Sequence, residues 1–501
     1  MSLDTALLNA GSGLRLASRQ LANASNNVAN AATVGYSRKQ VDGLSLTMGG
    51  VRTLDPQRDI DPVMRSEMRR ATGQEAAAGL RNDTLARLSQ LQGDPSDGSS
   101  IGGLMGALRD SFTSLSDDPA NGGKQTASLE AARSLAGRMN TIGSSMSQAR
   151  QGVQDGLRDD VDSANGLLRD VSRLDRLVRN EVAAGRSAAE LLDQRDAAVS
   201  SLSGLLDITP VPASNSGITL MLPSGATLPL DPEASPLSLA DVTVSDHDYH
   251  GKPDGRLPGL AVNGVPLSAT SGLGGRIGEG FKLRDETIPR MQAELDVTAA
   301  TLAGRLEKQG LRLFTDAGGS PAPDPSAPGA GPAMAGFASR IQINPEVAGQ
   351  PRLLRDGTAA SGGFTPNPAN GPSGFTALLD RVNDYAFGAQ SAAGVAHPPI
   401  PGTGLGPGGT ISTGAPTSGR ITDFAATVTG RQSAEAAAAK GDAGQATAVR
   451  AQLGTLVQQR EGVDVDAEMA SMVQLQNAYA ANARVMSAVQ DMWDALLASV
   501  R

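Results

Sequence analysis

Apolar residues recur at both ends of the chain, at alternating steps of three and four positions. The N-terminal series is Leu3, Leu7, Ala10, Leu14, Ala17, Leu21, Ala24, Val28 and Ala31. The C-terminal series is Met472, Leu475, Tyr479, Asn482, Met486, Val489, Trp493, Leu496 and Val500. A mean spacing of about 3.5 residues places each series on one face of a helix, as in a coiled coil. Each end therefore presents a stripe that it cannot bury alone.

Two arrangements would bury these stripes, and the spacing leaves both open. The terminal helices can pair as an ordinary intramolecular hairpin, because most helix stability comes from tertiary packing. They can also pack against the same helices of neighbouring copies, which would make the chain an assembly subunit. We expect the contact residues to be Leu3, Leu7, Leu14, Leu21, Val28, Met472, Leu475, Tyr479, Met486, Val489, Trp493, Leu496 and Val500.

Helical spacing continues through much of the interior. It predicts helices over about 63–92, 101–115, 126–180, 188–206, 281–313, 421–429 and 433–460. Asp61 followed by Pro62 is typical of a helix start. Short apolar runs over 209–272, with Asn263-Gly264 as a hairpin signal, indicate β structure. Residues 315–419 are too rich in Pro and Gly to fold alone, although 339–343 and 375–382 can dock on a core.

The predicted fold is predominantly α with β insertions, elongated and divided into four domains. Residues 1–36 and 462–501 form a terminal helical core that pairs like a coiled coil. Residues 37–208, 280–314 and 420–461 form a long-helix domain with a short N-terminal hairpin. Residues 209–279 form a small β domain, and 315–419 a partly irregular Gly/Pro-rich insertion.

Composition narrows the function classes. The 501 residues carry a net charge of −9 and no basic stripe, which argues against nucleic acid or anionic lipid as a partner. The chain has no cysteine, so a disulfide or thiolate site is excluded. We predict no secretory signal peptide, because the N-terminal residues lack a basic stretch and a continuous apolar run. No apolar run approaches the roughly 18 residues needed to span a bilayer.

Three motifs imitate catalytic or ligand sites. Residues 98–102 match G-x-S-x-G, but no buried strand precedes them as a nucleophile elbow requires, so we interpret them as a turn before a helix. The loop with His247 and His250 contains possible metal ligands, although a solvated loop is the simpler interpretation. Residues 272–278 nearly match a dinucleotide fingerprint without its βαβ context, and we interpret them as a flexible link. We expect no catalytic residue, cofactor or metal.

Residues 26–40 read Asn-Asn-Val-Ala-Asn-Ala-Ala-Thr-Val-Gly-Tyr-Ser-Arg-Lys-Gln. This segment resembles the N-terminal signature of bacterial flagellar axial proteins, and its Gly-Tyr-Ser-Arg part is similar to the hook-associated protein 1 family. Residues 462–469 resemble that family's C-terminal signature, and 114–119 and 191–196 also fit it. The resemblance rests chiefly on Asn26, Asn27, Asn30, Gly35, Tyr36, Ser37, Arg38, Gly462, Asp466, Glu468, Gln476 and Tyr479. From their position at a helix start, Asp464, Asp466 and Glu468 are predicted to cap it and complement its dipole.

The resemblance implies a structural, non-enzymatic subunit at the junction between flagellar hook and filament. Such a subunit leaves the cytoplasm through the type III export apparatus and is secreted to the extracellular flagellum. The implied partners are copies of itself in a ring, hook protein on one side, hook-associated protein 3 and filament on the other, and an export chaperone on the C-terminal helix. Neither nucleic acid binding nor membrane insertion is implied.

Three rival functions remain to be weighed. The chain can be another axial protein, such as hook-associated protein 3 or flagellin, but Gly35-Tyr36-Ser37-Arg38 argues against both. A secreted enzyme with a site in the middle region lacks a supporting acid/base or histidine cluster. A cytosolic coiled-coil scaffold would not need the two signatures.

Overall fold

The computed structural model describes residues 3–47, 49–93, 98–251, 256–267 and 272–499. The first elements are a helix and four short strands: α1 (Leu3–Ala29), β1 (Lys39–Gln40), β2 (Gly43–Ser45), β3 (Val51–Thr53) and β4 (Gln57–Arg58). Strands β2 and β3 form an antiparallel hairpin, and β1 pairs with β4. Four long helices follow: α2 (Pro62–Gln92), α3 (Ile101–Asp117), α4 (Gly122–Ala183) and α5 (Ala189–Leu205).

Local sequence explains where these helices begin. The Asp61 carboxylate accepts hydrogen bonds from the backbone N–H groups of Val63 and Met64, which confirms the predicted cap before Pro62. Asn121 caps the 62-residue helix α4 in the same way. Ser100 caps α3 by accepting a hydrogen bond from Gly103. The G-x-S-x-G look-alike is therefore a helix start.

Two small antiparallel sheets follow α5. The first contains β5 (Thr209–Pro212), β6 (Ile218–Met221) and β7 (Thr227–Leu228), and the second contains β8 (Leu237–Ser238), β9 (Ala261–Val262) and β10 (Val265–Pro266). Asn263 and Gly264, with φ of 50° and 75°, form the two-residue turn between β9 and β10. The predicted hairpin is confirmed there. The four-domain division as a whole stays a prediction.

A nearly continuous helix returns the chain to the core. It consists of α6 (Gly275–Lys282), a π-helical turn (Leu283–Thr287) and α7 (Ile288–Lys308). The flexible link predicted over 272–278 is wrong in its second half. A Cβ on Gly275 would lie 2.6 Å from the Leu205 carbonyl carbon, so glycine lets α6 pack closely against the end of α5.

The Gly/Pro-rich insertion contains short elements joined by turns. These are β11 (Phe314–Thr315), α8 (Ala330–Met334), α9 (Phe337–Arg340), β12 (Gln342–Ile343), α10 (Pro345–Gly349), α11 (Leu353–Asp356), α12 (Ala377–Arg381), β13 (Gln390–Ala392) and β14 (Val395–Ala396). Phe337, Ile341, Leu378 and Val382 are fully buried in the cluster that also contains the long helices. The predicted docking of 339–343 and 375–382 on the core is confirmed.

Two long helices end the chain, α13 (Ile421–Glu461) and α14 (Val465–Ser499). The predicted break at 430–432 is wrong, because Gln432 is buried within α13 and donates to the Glu294 carboxylate at 2.6 Å. The predominantly α fold with small β insertions is confirmed. No helix within the described ranges combines the length and apolar character needed to cross a membrane.

The contact between α7 and the insertion includes a buried carboxylate with an unusual pKa. Asp296 accepts hydrogen bonds from the backbone N–H groups of Gly336 and Ala338, both at 2.8 Å. Burial raises the pKa of Asp296 to about 7, against the lowering effect of these bonds; Asp246 raises it further, and Arg340 lowers it. The proton is therefore held more tightly in the folded state than in the unfolded state.

We expect Asp296 to make the protein less stable as the pH rises from about 4 to about 7. A group with a raised folded-state pKa stabilises the fold below its unfolded pKa, and this contribution is lost as the pH passes the folded pKa. A tenfold difference in proton affinity between the folded and unfolded states corresponds to about 1.4 kcal/mol. Urea unfolding of wild type and Asp296→Asn across this range measures the effect. Parallel pH profiles for the two proteins would contradict it.

Candidate assembly interface

The terminal helices α1 and α14 pair side by side in opposite directions. Gly11 lies opposite Met486, and Gly13 lies opposite Asn482, so positions rise along one helix as they fall along the other. The most buried residues of α1 on this face are Ala10, Ala17 and Ala24, at 3–5% exposed. The intramolecular hairpin is therefore formed within one chain, and a line of small side chains lets the helices approach closely.

Gly13 marks the tightest described contact of a glycine in α1. A Cβ at this position would lie 3.1 Å from the side-chain amide of Asn482, closer than side chains normally approach. The polar residue of the C-terminal stripe is thus accommodated by a glycine on the opposite helix. This pairing gives Asn482 a defined neighbour and fixes one position of the register.

We expect Gly13→Ala to behave differently from the same change in an uncrowded helix position. Alanine normally favours a helix over glycine by about 1 kcal/mol, and Gly79→Ala in α2, where a Cβ meets nothing within 4 Å, is the matched control. At Gly13 that gain should be cancelled or reversed, because overpacking typically costs about 1–3 kcal/mol. Urea unfolding of both variants measures this, and Asn482→Ala should rescue Gly13→Ala. Equal gains at both glycines would contradict the close contact.

The pairing covers only part of the predicted contact residues. Val489 is buried, and Leu14, Leu21, Val28, Met472, Leu475 and Met486 are half-buried. Leu7, Tyr479, Trp493 and Leu496 remain 40–51% exposed. Leu3 begins α1, and Val500 lies outside the described residues. The hairpin therefore leaves a large part of both stripes accessible.

Further exposed apolar residues widen this surface beyond the predicted set. They are Leu8 on α1, and Met469, Val473, Val485, Met492 and Leu497 on α14. These side chains stand outside the three-four series, so the search for one stripe missed them. A count of apolar residues around the whole circumference of α14 would have found them. We call Val485, Met492, Trp493, Leu496 and Leu497 the distal apolar surface.

The Asn-Asn-x-Ala-Asn signature ties the end of α1 to the strand that follows it. Asn27 is fully buried, and its side chain bonds both the N–H and the C=O of Lys39, at 3.2 and 2.9 Å. It also accepts from the Tyr36 hydroxyl at 3.0 Å. Asn30 donates to the Asn26 carbonyl at the exposed helix end. The signature asparagines thus serve local structure, and Asn27 substitutes for a strand partner.

The Gly-Tyr-Ser-Arg segment turns the chain toward α5. Gly35 has a φ of 83°, a conformation that favours glycine. The Lys39 ammonium lies 3.4 Å above the centre of the Tyr36 ring. Burial raises the pKa of Tyr36 to about 12, helped by the negative charges of Glu190, Asp193 and Glu468. Tyr36 therefore stays a neutral hydroxyl.

Asp193 of α5 receives the residues that follow this turn. Its carboxylate accepts from the Ser37 hydroxyl at 2.6 Å, the Ser37 N–H at 3.1 Å and the Lys39 ammonium at 2.9 Å. Arg58 of β4 adds an ion pair at 3.2 Å. Burial acts to raise the pKa of Asp193, but the bonds from Ser37 and Lys39 outweigh it, and the pKa lies below its usual range. Asp193 is therefore held as a carboxylate.

A second set of ion pairs connects this point to the start of the C-terminal helix. Arg65 of α2 pairs with Asp196 at 2.7 Å and with Glu461 at 2.6 Å. The Glu461 carbonyl accepts from the Arg38 N–H at 2.7 Å, and the Arg38 guanidinium pairs with Glu468 at 2.7 Å. Together these side chains form a network that we call the junction network. It consists of Ser37, Arg38, Lys39, Arg58, Arg65, Asp193, Asp196, Glu461 and Glu468.

The junction network corrects one prediction about the acidic residues at the start of α14. Asp464 does cap the helix, because its side chain accepts from the Ala467 N–H at 3.1 Å. Glu468 lies in the first turn, as a residue that complements the helix dipole would. Its buried carboxylate also forms an ion pair with Arg38, which the prediction did not include. Gly462 lies where a Cβ would approach the Gln458 carbonyl within 2.2 Å. The other signature residues of α14, Asp466, Gln476 and Tyr479, are exposed.

Asp248 and His250 of the histidine loop have partners within the chain. Asp248 accepts from Ser245 and pairs with Arg256 at 2.8 Å. The His250 ring contacts the Leu257 carbonyl at 3.1 Å. Within the ranges that the structure covers, no group of three or more His, Cys, Asp or Glu side chains is arranged to hold a metal ion.

Comparison with known proteins shows which family the chain is similar to. A model for the helical domain of flagellar hook-associated protein FlgK matches residues 85–320, and one for the C-terminal part of flagellar basal body rod FlgEFG proteins matches 458–499. Flagellar hook-associated protein 1 of Salmonella typhimurium is 26% identical over 243 residues, 45% of this chain and 42% of that protein. Its namesake in Bacillus subtilis is 24% identical over 510 residues, 95% of this chain and 94% of that protein. The chain is therefore similar to the flagellar hook-associated protein 1 family.

The match to the Salmonella member of the hook-associated protein 1 family spans less than half of that relative's length. A solved relative, the flagellar hook junction protein FlgK from Burkholderia pseudomallei, aligns with a TM-score of 0.40 and 23% identity, over 51% of this chain and 45% of that one. The junction network joins the regions that the two family models match. Asp193 and Asp196 lie in the first region, Glu461 and Glu468 in the second, and Arg38 in neither.

Proposed function

We propose that this protein is a structural subunit of the bacterial flagellum at the junction between hook and filament. Its α1–α14 hairpin would be the part that polymerises, and its helical body the part carried outward. The observation that carries the proposal is the hairpin's exposed apolar face. Monomeric soluble proteins rarely expose large contiguous apolar patches unless these are interaction sites.

The proposed partners are other copies in a ring, hook protein on one side, and hook-associated protein 3 with the filament on the other. Before assembly, an export chaperone would cover α14, whose distal apolar surface is accessible along one helix. Passage through the type III export apparatus would then deliver the subunit to the extracellular flagellum. In this role the protein has no enzymatic activity.

The junction network supports this use of the hairpin. The hairpin can fix the orientation of the helical body in an assembly only if the connection between the two is rigid. Buried, hydrogen-bonded ion pairs restrict geometry more than solvent-exposed pairs, which are mobile and screened. Arg38 and Glu461 tie the base of the hairpin to α2 and α5 through Arg65 and Asp196.

Deletion of the gene, followed by electron microscopy and complementation, tests the proposal. We expect cells with intact hooks, no filaments, and flagellin released into the medium, because filament growth would lack its base. Complementation with the wild-type gene should restore filaments. Normal filaments in the deletion strain would refute the junction role, and loss of hooks as well would point to another axial position.

A further inference from the structure

A small pocket lies where the C-terminal part of α7 meets two proline-rich segments. Thr301, Arg305 and Lys308 of α7 form its floor, and residues 325–326 and 397–401 form its walls. Its volume is about 30 Å³. A larger cleft of about 610 Å³ adjoins it and shares four of its prolines, Pro325, Pro398, Pro399 and Pro401. The pocket is therefore the inner end of a wider opening.

Arg305 is buried in this pocket without a compensating charge. The residue is 5% exposed, and its Nη2 donates to the Gly419 carbonyl at 3.1 Å. Its Nη1 is buried and has no hydrogen-bond partner among the described residues, and no carboxylate there offsets the effect of burial on its charge. Burial lowers the pKa of Arg305 to about 10. An uncompensated buried charge is costly, so such groups are normally paired.

A second unpartnered donor lies one helical turn before Arg305. The Thr301 hydroxyl is buried and, within the part of the chain that the structure describes, has no hydrogen-bond partner. Because residues four apart share a helix face, Thr301 and Arg305 lie side by side on the floor of the pocket. A buried hydroxyl without a partner is itself unfavourable. Two side chains of one pocket thus each have a donor group without a hydrogen-bond acceptor.

The charges around the pocket are mixed, because Lys308 at the rim interacts with the Asp324 carboxylate. Lys308 lies exposed at the rim. The His397 Nε2 donates to the Tyr385 carbonyl at 2.8 Å, and burial, followed by the charge of Arg305, lowers the pKa of His397. The nearby carboxylate of Asp324 is engaged by the Ser326 N–H and hydroxyl. Glu307, on the same helix, pairs with Arg312.

A purely structural role for Arg305 does not fully explain why its guanidinium and the Thr301 hydroxyl are buried without acceptors. Arg305 and Lys308 lie in the last turn of α7, where the helix dipole stabilises cations modestly. That effect is smaller than the desolvation of a guanidinium and supplies no acceptor to Nη1. Nor does the helix dipole explain why the buried Thr301 hydroxyl has no hydrogen-bond partner among the described residues.

We propose that this pocket binds a small organic carboxylate. Arg305 Nη1 and the Thr301 hydroxyl would donate to its oxygens, with Lys308 adding charge at the rim. About 30 Å³ admits two water-sized atoms, which matches the two oxygens of a carboxylate. The organic remainder of the ligand would extend into the proline-lined cleft.

Titration of the full-length protein with sodium acetate, in place of chloride at constant ionic strength, tests the proposal. We expect saturable binding by ligand-observed NMR and a matching saturable rise in Tm, because a ligand specific for the folded state stabilises it. Arg305→Gln and Thr301→Val should each weaken binding at least tenfold. Arg169→Gln, which alters a half-buried arginine that lies outside the pocket and is bonded to Ser235, should bind acetate as wild type does.

Thr301→Val keeps the shape of the residue and the charge of Arg305, so it remains informative if Arg305→Gln does not fold. Acetate that raises the Tm of wild type and Thr301→Val equally would overturn the proposal. So would the absence of any saturable effect, which would leave water as the acceptor. Inorganic phosphate that binds more tightly than acetate would replace the carboxylate with a tetrahedral oxyanion, which also contradicts the proposal.

Discussion

Asp193→Asn is expected to lower the free energy of unfolding by about 3–5 kcal/mol, because removing one partner of a buried ion pair leaves the other charge uncompensated. The Lys39 ammonium and the Asp193 carboxylate have side chains only 4% and 7% exposed. Asparagine preserves the size of the side chain while removing its charge. The amide also cannot accept at both positions from Ser37, Lys39 and Arg58. Urea unfolding of the full-length protein measures the loss.

An exposed ion pair supplies the matched control. Glu67 pairs with Arg70 at 3.1 Å on the surface of α2, and the corresponding Glu67→Gln change should cost about 0–1 kcal/mol. Hydrogen exchange adds a local measurement. Asp193→Asn should increase exchange in residues 37–40 and near 461–468, and leave α3 unchanged. Similar losses in the two variants would show that the junction network contributes no more than surface charges do.

The pH dependence of the Asp193 contribution has a definite sign. Because its folded pKa is depressed, the carboxylate stabilises the fold above its unfolded pKa, and this contribution is lost as the pH falls through the folded pKa. The wild-type advantage over Asp193→Asn should therefore shrink only on the acid side of the usual Asp range. This is opposite in direction to the effect of Asp296.

The terminal helices were predictable because periodicity is a local property of the sequence. The residues through which these helices contact each other were less predictable. The leucines of α1 were expected to form the contact, yet Ala10, Ala17 and Ala24 are the most fully covered residues on the face toward α14. Small side chains let two helices approach until the space between them is filled, and the longer leucines extend beside that line. Periodicity finds a face but does not say which of its positions lies at the centre.

The junction network was beyond sequence reasoning for another reason. Arg38 and Glu468 are 430 positions apart, and Arg65 and Glu461 are 396 apart. Charged residues are common along the chain, so nothing in their local context identifies a pair. The family signatures marked several members, including Ser37, Arg38 and Glu468, without giving their contacts. The fold joins them, since α5, β4 and the α13–α14 turn meet at the end of α1.

Charges placed on the distal apolar surface are expected to abolish assembly while leaving the subunit folded. In the triple variant Val485→Asp, Met492→Asp and Leu496→Asp, each changed residue is 48–52% exposed in the single chain. Substitutions at such surface positions usually change stability by less than about 0.5 kcal/mol each. In an assembly that buries them, each would place an unpaired carboxylate among apolar side chains, which costs several kcal/mol.

A charge-matched variant on another face of the same helix separates the loss of the apolar surface from a general effect of added negative charge. Ala480, Ser487 and Ala495 are exposed on α14 and lie away from the distal apolar surface by helical spacing. Their replacement by Asp adds the same three charges. We expect this control to support filament-bearing flagella in a deletion strain, and the distal variant to produce none. Export into the medium should be measured for both, because loss of chaperone binding would also remove filaments.

The decisive question is whether a variant that folds and is exported is also incorporated into the flagellum. If the distal variant unfolds in urea as wild type does, reaches the medium and fails to join the flagellum, the exposed face of the hairpin is the polymerising surface. If the distal variant is incorporated, α1 and α14 serve only each other, and the apolar surface on α14 has no part in assembly. Since the hairpin already pairs within one chain, the outcome depends on side chains that this pairing leaves uncovered.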